Sequence, residues 1–476
     1  MTDIRFGTDG WRAVIADDFT FENVRVVAQA TAEYLSRQPL ASRSVVVGYD
    51  TRFLSAAFAR AVAEVLAAND IPVALTSGVV PSPVLSHAVR QRSAAAGVMI
   101  TASHNPARWN GFKLRLADGS AAPSNVSAEV ERAIPGILAE ERVKQVPLAD
   151  AEKSGSIERF DPRPEYLSDI RGFVDIEAIR NAGLNVLVDS MYGAAAGWTA
   201  EAIADGATHV RELHGERNPS FPGLRAPEPI ASNLADLLSL LAQNGYDIGL
   251  ATDGDGDRLG LADEHGVFIT QLQTFALIVY YLLEVRGERG PIVRSITTTR
   301  MVDRLGERYG CPVHETAVGF KHLAEKMIES DALIAGEESG GYGFRGHIPE
   351  RDGVLSGLLL LDYVAKTKRR PSELLADLYE LVGPHEYDRV DITLRDDERK
   401  RIIERVAAAA PDRIAGLSTA SRDTLDGFRF TMEGGWWLLL RFSGTEPLLR
   451  IYAEMPSAEQ VQQALEAGQE MAGVTL

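Results

Sequence analysis

Three stretches of the chain repeat one order, a short apolar run, a helical stretch and a second apolar run, and this order breaks after Pro384. Together these observations predict an α/β protein with three similar mixed α/β domains and a smaller, different α+β domain at the C-terminus. In the first copy, residues 44–48 form the opening run, a helix covers 53–68 and a strand follows at 71–75. The second copy has runs at 185–188 and 208–213 around a Gly/Ala-rich helix over 193–204, and the third has 291–293, a helix over 301–309 and a strand at 312–315. Strand, helix, strand is the right-handed crossover unit, so the chain reads as a triplicated domain.

A later apolar strand follows each copy, at 98–100, 248–251 and 333–335, and delivers a loop. The first loop carries Ser103, the second Asp253, Asp255 and Asp257, and the third Gly336-Glu337-Glu338-Ser339-Gly340-Gly341. Ligands of α/β sheets gather beyond the carboxyl ends of strands, so three domains are expected to line one central cleft. Past residue 384, strands at 436–441 and 449–453 flank a polar loop and a helix over 457–471 closes the chain. Ser457 is placed as its N-cap, with Gln460 at the capping-box position. The expected domains are 1–150, 151–264, 265–384 and 385–476.

A chain of 476 residues is long enough for three or four domains, and 45% hydrophobic with 24% charged residues is ordinary globular usage. A formal net charge of -18 argues against a nucleic-acid partner, because phosphate backbones are bound through basic surfaces. An anionic substrate would then need a local basic pocket. Cys311 is the only cysteine, which excludes an intramolecular disulfide and a Cys-based metal site and fits a reducing compartment. The N-terminal residues lack an apolar signal region and no run is long enough to span a bilayer, so a cytoplasmic protein with no membrane partner is expected. The sequence sets no oligomeric state.

Asp253, Asp255 and Asp257 alternate with glycines, and on an extended strand end they would share one side. Their hard oxygens suit Mg²⁺ or Ca²⁺. The spacing with Glu264 also fits an EF-hand, but Arg258 stands where that loop needs Gly and the flanks 247–251 and 259–262 read as strands. Three carboxylates leave an octahedral shell incomplete, and an oxygen on Ser103 is the candidate fourth ligand. Ser103 lies in Thr101-Ala102-Ser103-His104-Asn105-Pro106, with no acyl-transfer elbow around it. His104 is placed to hydrogen-bond or carry a proton, and Lys113 to meet a phosphoryl oxygen. Arg441, Ser443, Gly444, Thr445 and Arg450 offer two guanidiniums, two hydroxyls and a flexible glycine, the makings of a phosphate-binding loop.

The order and separation of TASHNP, DGDGDR, GEESGG and RFSGTEP resemble the α-D-phosphohexomutases over nearly the whole chain. The start Phe6-Gly7-Thr8-Asp9-Gly10-Trp11-Arg12 is also similar to that family's opening segment. The resemblance implies four domains around a cleft, a phosphoserine at Ser103, and one Mg²⁺ per chain held by Asp253, Asp255, Asp257 and the phosphoserine oxygen. It implies sugar hydroxyls read by Glu337 and Ser339, with Arg258 among the substrate-binding residues and Arg441, Ser443, Gly444, Thr445 and Arg450 on the non-reacting phosphate. Arg12, Lys113 and Lys321 match positions given to electrostatic or acid/base work. The implied reaction passes a phosphoryl group from Ser103 to a hexose phosphate, giving a hexose 1,6-bisphosphate that turns end for end, with a mobile fourth domain permitting the turn. The GEESGG loop and the segment 347–353 look more like glucose-preferring members, so glucose 1-phosphate and glucose 6-phosphate are the expected pair. Phosphomannomutase and phosphoglucosamine mutase are the alternatives, with a sugar-phosphate binding protein without turnover and a phosphatase behind them.

Overall fold

The computed structural model describes residues 4–7, 9–40, 42–243, 245–443 and 447–474. They form two compact units, one of residues up to Thr274 with Ser339–Ser372, and one of Phe275–Glu338 with Glu373 onward.

In the first unit, buried strand Val45–Tyr49 pairs in parallel with Val73–Thr76 on one side and Ala96–Ile100 on the other. Strand Trp109–Leu116 then returns antiparallel beside Ala96–Ile100, and Trp11–Val14 lies antiparallel at its outer edge. The second sheet repeats this plan: Asn185–Asp189 lies between parallel strands His209–Leu213 and Ile248–Thr252, with Leu259–Ala262 antiparallel beyond the latter. In the second unit, Ile292–Ser295 lies in the same way between Val313–Thr316 and Ile334–Gly336. All three are mixed or parallel sheets built on one crossover pattern, as the repeated apolar runs predict. Both first-unit sheets run past the expected seams, because Ile157–Phe160 pairs with Val73–Thr76 and Phe268–Ile269 with Leu261 and Ala262.

Two local expectations need correction. The helix expected over 53–68 is Ser55–Ala68, since Leu54 takes a left-handed φ of 62°. The helix expected over 193–204 shrinks to Trp198–Ala202. Ahead of it Met191 and Tyr192 adopt φ of 48° and 58°, and Ala194 N–H donates to the Gly254 carbonyl at 3.0 Å. A methyl on Gly193 would come within 2.7 Å of the Asp253 carbonyl. The Gly/Ala richness there serves close backbone approach to the aspartate loop, where small residues leave room.

The stretch 265–384 divides between the units. Helix Gly353–Thr367, capped by the Asp352 carboxylate on the Leu355 N–H, packs on the second sheet. A methyl on Gly357 would meet Leu250 Cδ1 at 3.3 Å and Leu259 Cδ1 at 3.7 Å.

The C-terminal sheet is antiparallel throughout, in the order Glu386–Thr393, Leu448–Met455, Trp437–Phe442, Phe428–Met432, Leu417–Asp423, Arg413–Ile414. Helices Asp396–Ala408 and Ala458–Ala472 cover one face around Ile402, Val406, Leu438, Ile451 and Leu465. Ser457 caps the last helix by accepting the Gln460 N–H at 3.3 Å, while the Gln460 side chain donates to the Ala415 carbonyl. No helix among the described residues is long and apolar enough to cross a membrane.

Gly353 opens its helix against the aspartate loop, donating its N–H to the Gly256 carbonyl at 3.1 Å. An added methyl would stand 2.5 Å from the Arg258 carbonyl and 2.9 Å from that of Gly256. Both are backbone atoms with little freedom to retreat, so Gly353→Ala should cost about 1–3 kcal/mol. A thermal melt reads this, and an unchanged melting temperature would mean that the helix start withdraws freely from the loop.

Candidate active site

Buried strand Ala96–Ile100 ends in Thr101 and Ala102, and Ser103 follows with φ 49° and only 1% exposure. The Ser103 N–H donates to Thr101 Oγ1 at 2.9 Å. Its hydroxyl donates to Asp253 Oδ2 at 2.7 Å and lies 3.3 Å from His104 Nδ1. The Ser103 carbonyl faces Gly254, where a Cβ would stand 2.5 Å from that oxygen. Any larger residue at Gly254 would push the two loops apart.

The aspartates occupy a tight turn rather than the extended strand end expected. Strand Ile248–Thr252 stops before them, Gly256 takes φ 73°, and its N–H donates to the Asp253 carbonyl at 3.1 Å. Asp253 Oδ1 accepts the N–H groups of Asp257 (3.0 Å) and Arg258 (3.2 Å). The three carboxylates are completely buried and offer oxygens within 4.8 Å of one another. Asp255 Oδ1 and Asp257 Oδ1 have no hydrogen-bond partner despite their burial. Buried carboxylate oxygens gathered this closely, two of them without a hydrogen bond, are the donor set a hard divalent cation takes, so the cluster fits a metal. Burial, then the charges of Asp255 and Asp257, push the Asp253 carboxyl well above its usual range. Burial also raises Asp257, to about 6. Asp255 is held low: burial opposes its charge, but Lys113 and Ser82 outweigh it. The EF-hand reading fails here, because both flanks are strands and Glu264 accepts the Ser372 hydroxyl instead.

Lys113 is buried on strand Trp109–Leu116, with Nζ 2.8 Å from Asp9 Oδ2, 2.9 Å from Asp255 Oδ2 and 3.8 Å from Asp257 Oδ2. Burial works against its charge, yet Asp255, Asp9 and Asp257 together raise it above its ordinary value. His104 is the opposite case, since burial first and then Arg258 and Arg12 push it well below its ordinary value. Arg12 donates to Asn105 Oδ1 at 2.7 Å, beside the Ser103 loop. Arg258 donates to Glu228 Oε1 at 3.1 Å. The structure therefore gathers Arg12, Ser103, His104, Lys113, Arg258 and the three aspartates in one unit.

Three further residues, Asp9, Ser82 and Arg351, meet this cluster without any sequence pattern that marks them for it. Ser82 donates to Asp255 Oδ2 at 2.6 Å, and Arg351 donates to Asp257 Oδ2 at 2.6 Å and to Asp9 Oδ2 at 3.3 Å. Asp9 was visible in the opening motif and Arg351 in the 347–353 segment, but neither carries a short-range signal of its partner. That segment, read above for sugar preference, commits its charges to the protein: Glu350 pairs with Arg115 at 3.2 Å and Asp352 accepts the Tyr166 hydroxyl.

The remaining candidates divide between the units. Ser339 belongs to the first unit, whereas Glu337, Lys321, Arg441, Ser443 and Arg450 belong to the second; Gly444 and Thr445 lie outside the described residues. Glu337 follows strand Ile334–Gly336 and is buried, and Lys321 stands in the first turn of helix Phe320–Ser330. The next residue in the loop, Glu338, accepts the Tyr387 hydroxyl at 3.0 Å and Arg389 at 2.8 Å. Arg441 and Arg450 lie directly opposite one another on neighbouring strands. Arg441 Nε donates to Asp426 Oδ2 at 2.9 Å, and Arg450 Nε lies 3.6 Å from Asp391 Oδ2. Like charges placed opposite each other repel, and an anion between them would relieve that.

Models of the phosphoglucomutase/phosphomannomutase α/β/α domains I, II and III match residues 3–140, 164–266 and 271–382, and that of the C-terminal domain matches 394–467. The chain is 31% identical to a phosphoglucomutase/phosphomannomutase of Thermococcus kodakarensis, with 97% of each chain covered. It is 34% identical to a "Probable phosphoglucosamine mutase" of Methanothermobacter thermautotrophicus, over 96% of this chain and 94% of that one. The crystal structure of a Thermus thermophilus protein with a provisional phosphomannomutase name matches 99% of this chain and 100% of its own, at 36% identity and a TM-score of 0.86. Four domain matches in order, on a fold with a buried serine against a carboxylate cluster, place the chain in the phosphoglucomutase/phosphomannomutase family of phosphohexomutases.

Proposed function

We propose that this phosphohexomutase interconverts glucose 1-phosphate and glucose 6-phosphate through a phosphoserine at Ser103 and a hexose 1,6-bisphosphate. The observation that carries the reading is the Ser103 hydroxyl on Asp253, at the edge of a buried three-carboxylate cluster. Asp253, Asp255 and Asp257, with an oxygen of phosphorylated Ser103, are the residues that would hold Mg²⁺. When bound, that ion offsets charge on the transferring phosphoryl group.

The chain's own residues supply the remaining steps. Phosphorylated Ser103 gives its phosphoryl group to the free hydroxyl of the hexose phosphate: the P–Oγ bond breaks as the new P–O bond forms, the sugar hydroxyl loses its proton and the freed Ser103 Oγ gains one. His104, with Nδ1 3.3 Å from Ser103 Oγ, is placed to hydrogen-bond there or carry a proton, whereas Lys113, its charge favoured by three carboxylates, acts on the phosphoryl oxygens. Arg12 and Arg258 add positive charge beside the serine, and Lys321 is assigned electrostatic or acid/base work. Glu337 and Ser339 read sugar hydroxyls. Arg441, Ser443, Gly444, Thr445 and Arg450 hold the phosphate that is not reacting. With one donor and one clamp, the bisphosphate turns end for end and returns a phosphoryl group to Ser103.

The GEESGG loop favours glucose, while the relative named for phosphoglucosamine supports glucosamine 1-phosphate as a second reading. The direct test is a side-by-side assay of glucose, mannose and glucosamine 1-phosphates with Mg²⁺ and the matching bisphosphate. The highest kcat/KM should belong to glucose 1-phosphate, and a higher value for either rival would transfer the assignment to it.

Ser103→Ala should leave the fold intact and lower turnover by several orders of magnitude, since the covalent carrier is gone. Purified wild-type protein should carry one phosphate at Ser103 in part of the population, by intact mass. Retention of more than a few per cent of activity would remove Ser103 from the covalent role.

Arg450→Ala should weaken glucose 1-phosphate and glucose 6-phosphate alike, by about 1.5–3 kcal/mol for a lost charge-assisted bond. Binding of both isomers to the Ser103→Ala protein measures this without turnover. Loss confined to one isomer would rule out a single shared clamp, and with it the end-for-end turn.

A further inference from the structure

Strand Val45–Tyr49 runs straight into Asp50, Thr51 and Arg52, all of them buried. A guanidinium taken wholly out of water is costly unless its charge is paired and its N–H groups are used. Arg52 has no exposed surface, and its partners explain how this is sustained. Its Nε lies 3.2 Å from Asp50 Oδ2, an ion pair without a hydrogen bond between these two atoms, so the N–H groups that are used are those of Nη1 and Nη2. Nη1 donates to the carbonyls of Pro106 (3.0 Å) and Trp109 (3.1 Å), and Nη2 to those of Ser103 (2.5 Å) and Asn105 (2.6 Å). Asp50 is fixed in turn, its Oδ1 accepting Ser55 Oγ at 2.7 Å and the Arg52 N–H at 2.9 Å. The Phe221 ring covers the guanidinium at 5.1 Å.

One side chain thus gathers four carbonyls of the segment that carries Ser103. That segment needs an external hold, because a residue with a Cβ pays about 1–2 kcal/mol for the left-handed conformation Ser103 adopts at φ 49°. Peptide planarity extends the effect: with the Ser103 carbonyl turned toward Arg52, the His104 N–H points to the opposite side. The direction of Ser103 Oγ follows from the same backbone.

We propose that Arg52, anchored by Asp50, is a positioning residue for phosphoryl transfer: its four carbonyl contacts hold the serine loop so that Ser103 Oγ stays at the carboxylate cluster. The proposal rests on the reading that Ser103 carries the phosphoryl group. Lysine cannot replace arginine in this role, since one ammonium has three N–H groups at a single point and cannot span four separated carbonyls. Misplacing a reacting group by about 1 Å costs on the order of 100-fold in rate.

The test is a single turnover of Arg52→Lys against wild type, with glucose 1,6-bisphosphate and Mg²⁺, following phosphate uptake at Ser103 by quenched intact mass. Uptake should slow by about 100-fold, while KM for the hexose phosphate and the affinity for Mg²⁺ stay within about threefold. Asp50→Asn, which loosens the anchor but keeps its acceptor oxygen, should slow uptake in the same direction by a smaller factor. A folded Arg52→Lys with uptake within about threefold of wild type would overturn the assignment, even if its melting temperature fell, because Arg52 would then support only the fold. Should Arg52→Lys not fold, an unchanged rate in Asp50→Asn overturns it equally. Wild-type protein that takes up no phosphate at Ser103 would sink the phosphoserine reading together with this one, whereas normal wild-type uptake with unaffected variants sinks only the role of Arg52.

Discussion

The hydrogen bond from Ser103 Oγ to Asp253 is the contact on which the rest of the site depends, because it joins loops that leave two different sheets. Side chains alone would not bring the loops so close. The backbones must nearly touch, which is why Gly254 faces the Ser103 carbonyl and Gly193 faces that of Asp253 with no room for a methyl. Ser82 closes the same junction from a helix of the first sheet, giving its N–H to the Asp255 carbonyl and its hydroxyl to the Asp255 carboxylate. The site is therefore a product of sheet packing, and small residues at these points are as necessary to it as the reacting groups.

Burying three carboxylates together is unfavourable unless positive charge accompanies them. Lys113 and Arg351 meet Asp255 and Asp257, and Asp9 holds both cations from behind. Both cations take the Oδ2 atoms of Asp255 and Asp257, and the Oδ1 atom of each is left without a hydrogen bond. The network thus orients the aspartates while leaving ligand positions open, and its carboxylates also explain why the lysine is held above its ordinary value.

Much of this was legible in the sequence, for a physical reason in each case. Buried strands of a crossover fold are short apolar runs, so Val45–Tyr49, Ile248–Thr252 and Ile334–Gly336 stood out, and the helix Met301–Tyr309 falls where its periodicity puts it. The loops carrying Ser103 and the aspartates followed, since they leave strand ends. Three things did not. The Gly/Ala-rich stretch after Asp189 has helical propensity, but tertiary contact with the Asp253 loop overrides it. The aspartates share one side through a turn at Gly256, whose positive φ the alternating spacing does not reveal. Arg52 and Arg351 act on residues far along the chain, and no local pattern announces such pairs.

Two groups of arginines differ in how they are engaged, and the difference bears on where an anion would be held. Arg52, Arg115 and Arg351 are each engaged by carboxylates or carbonyls inside the first unit, so their charge is spent on structure. Arg441 and Arg450 face each other across adjacent strands, and the carboxylates near them, Asp426 and Asp391, each approach one Nε. In a protein of net charge -18, two guanidiniums opposed on neighbouring strands concentrate positive charge locally, and the two carboxylates offset part of their mutual repulsion. Under the function proposed, a phosphate dianion would accept charge-assisted bonds from both guanidiniums at once, which no single arginine elsewhere on the sheet would offer it.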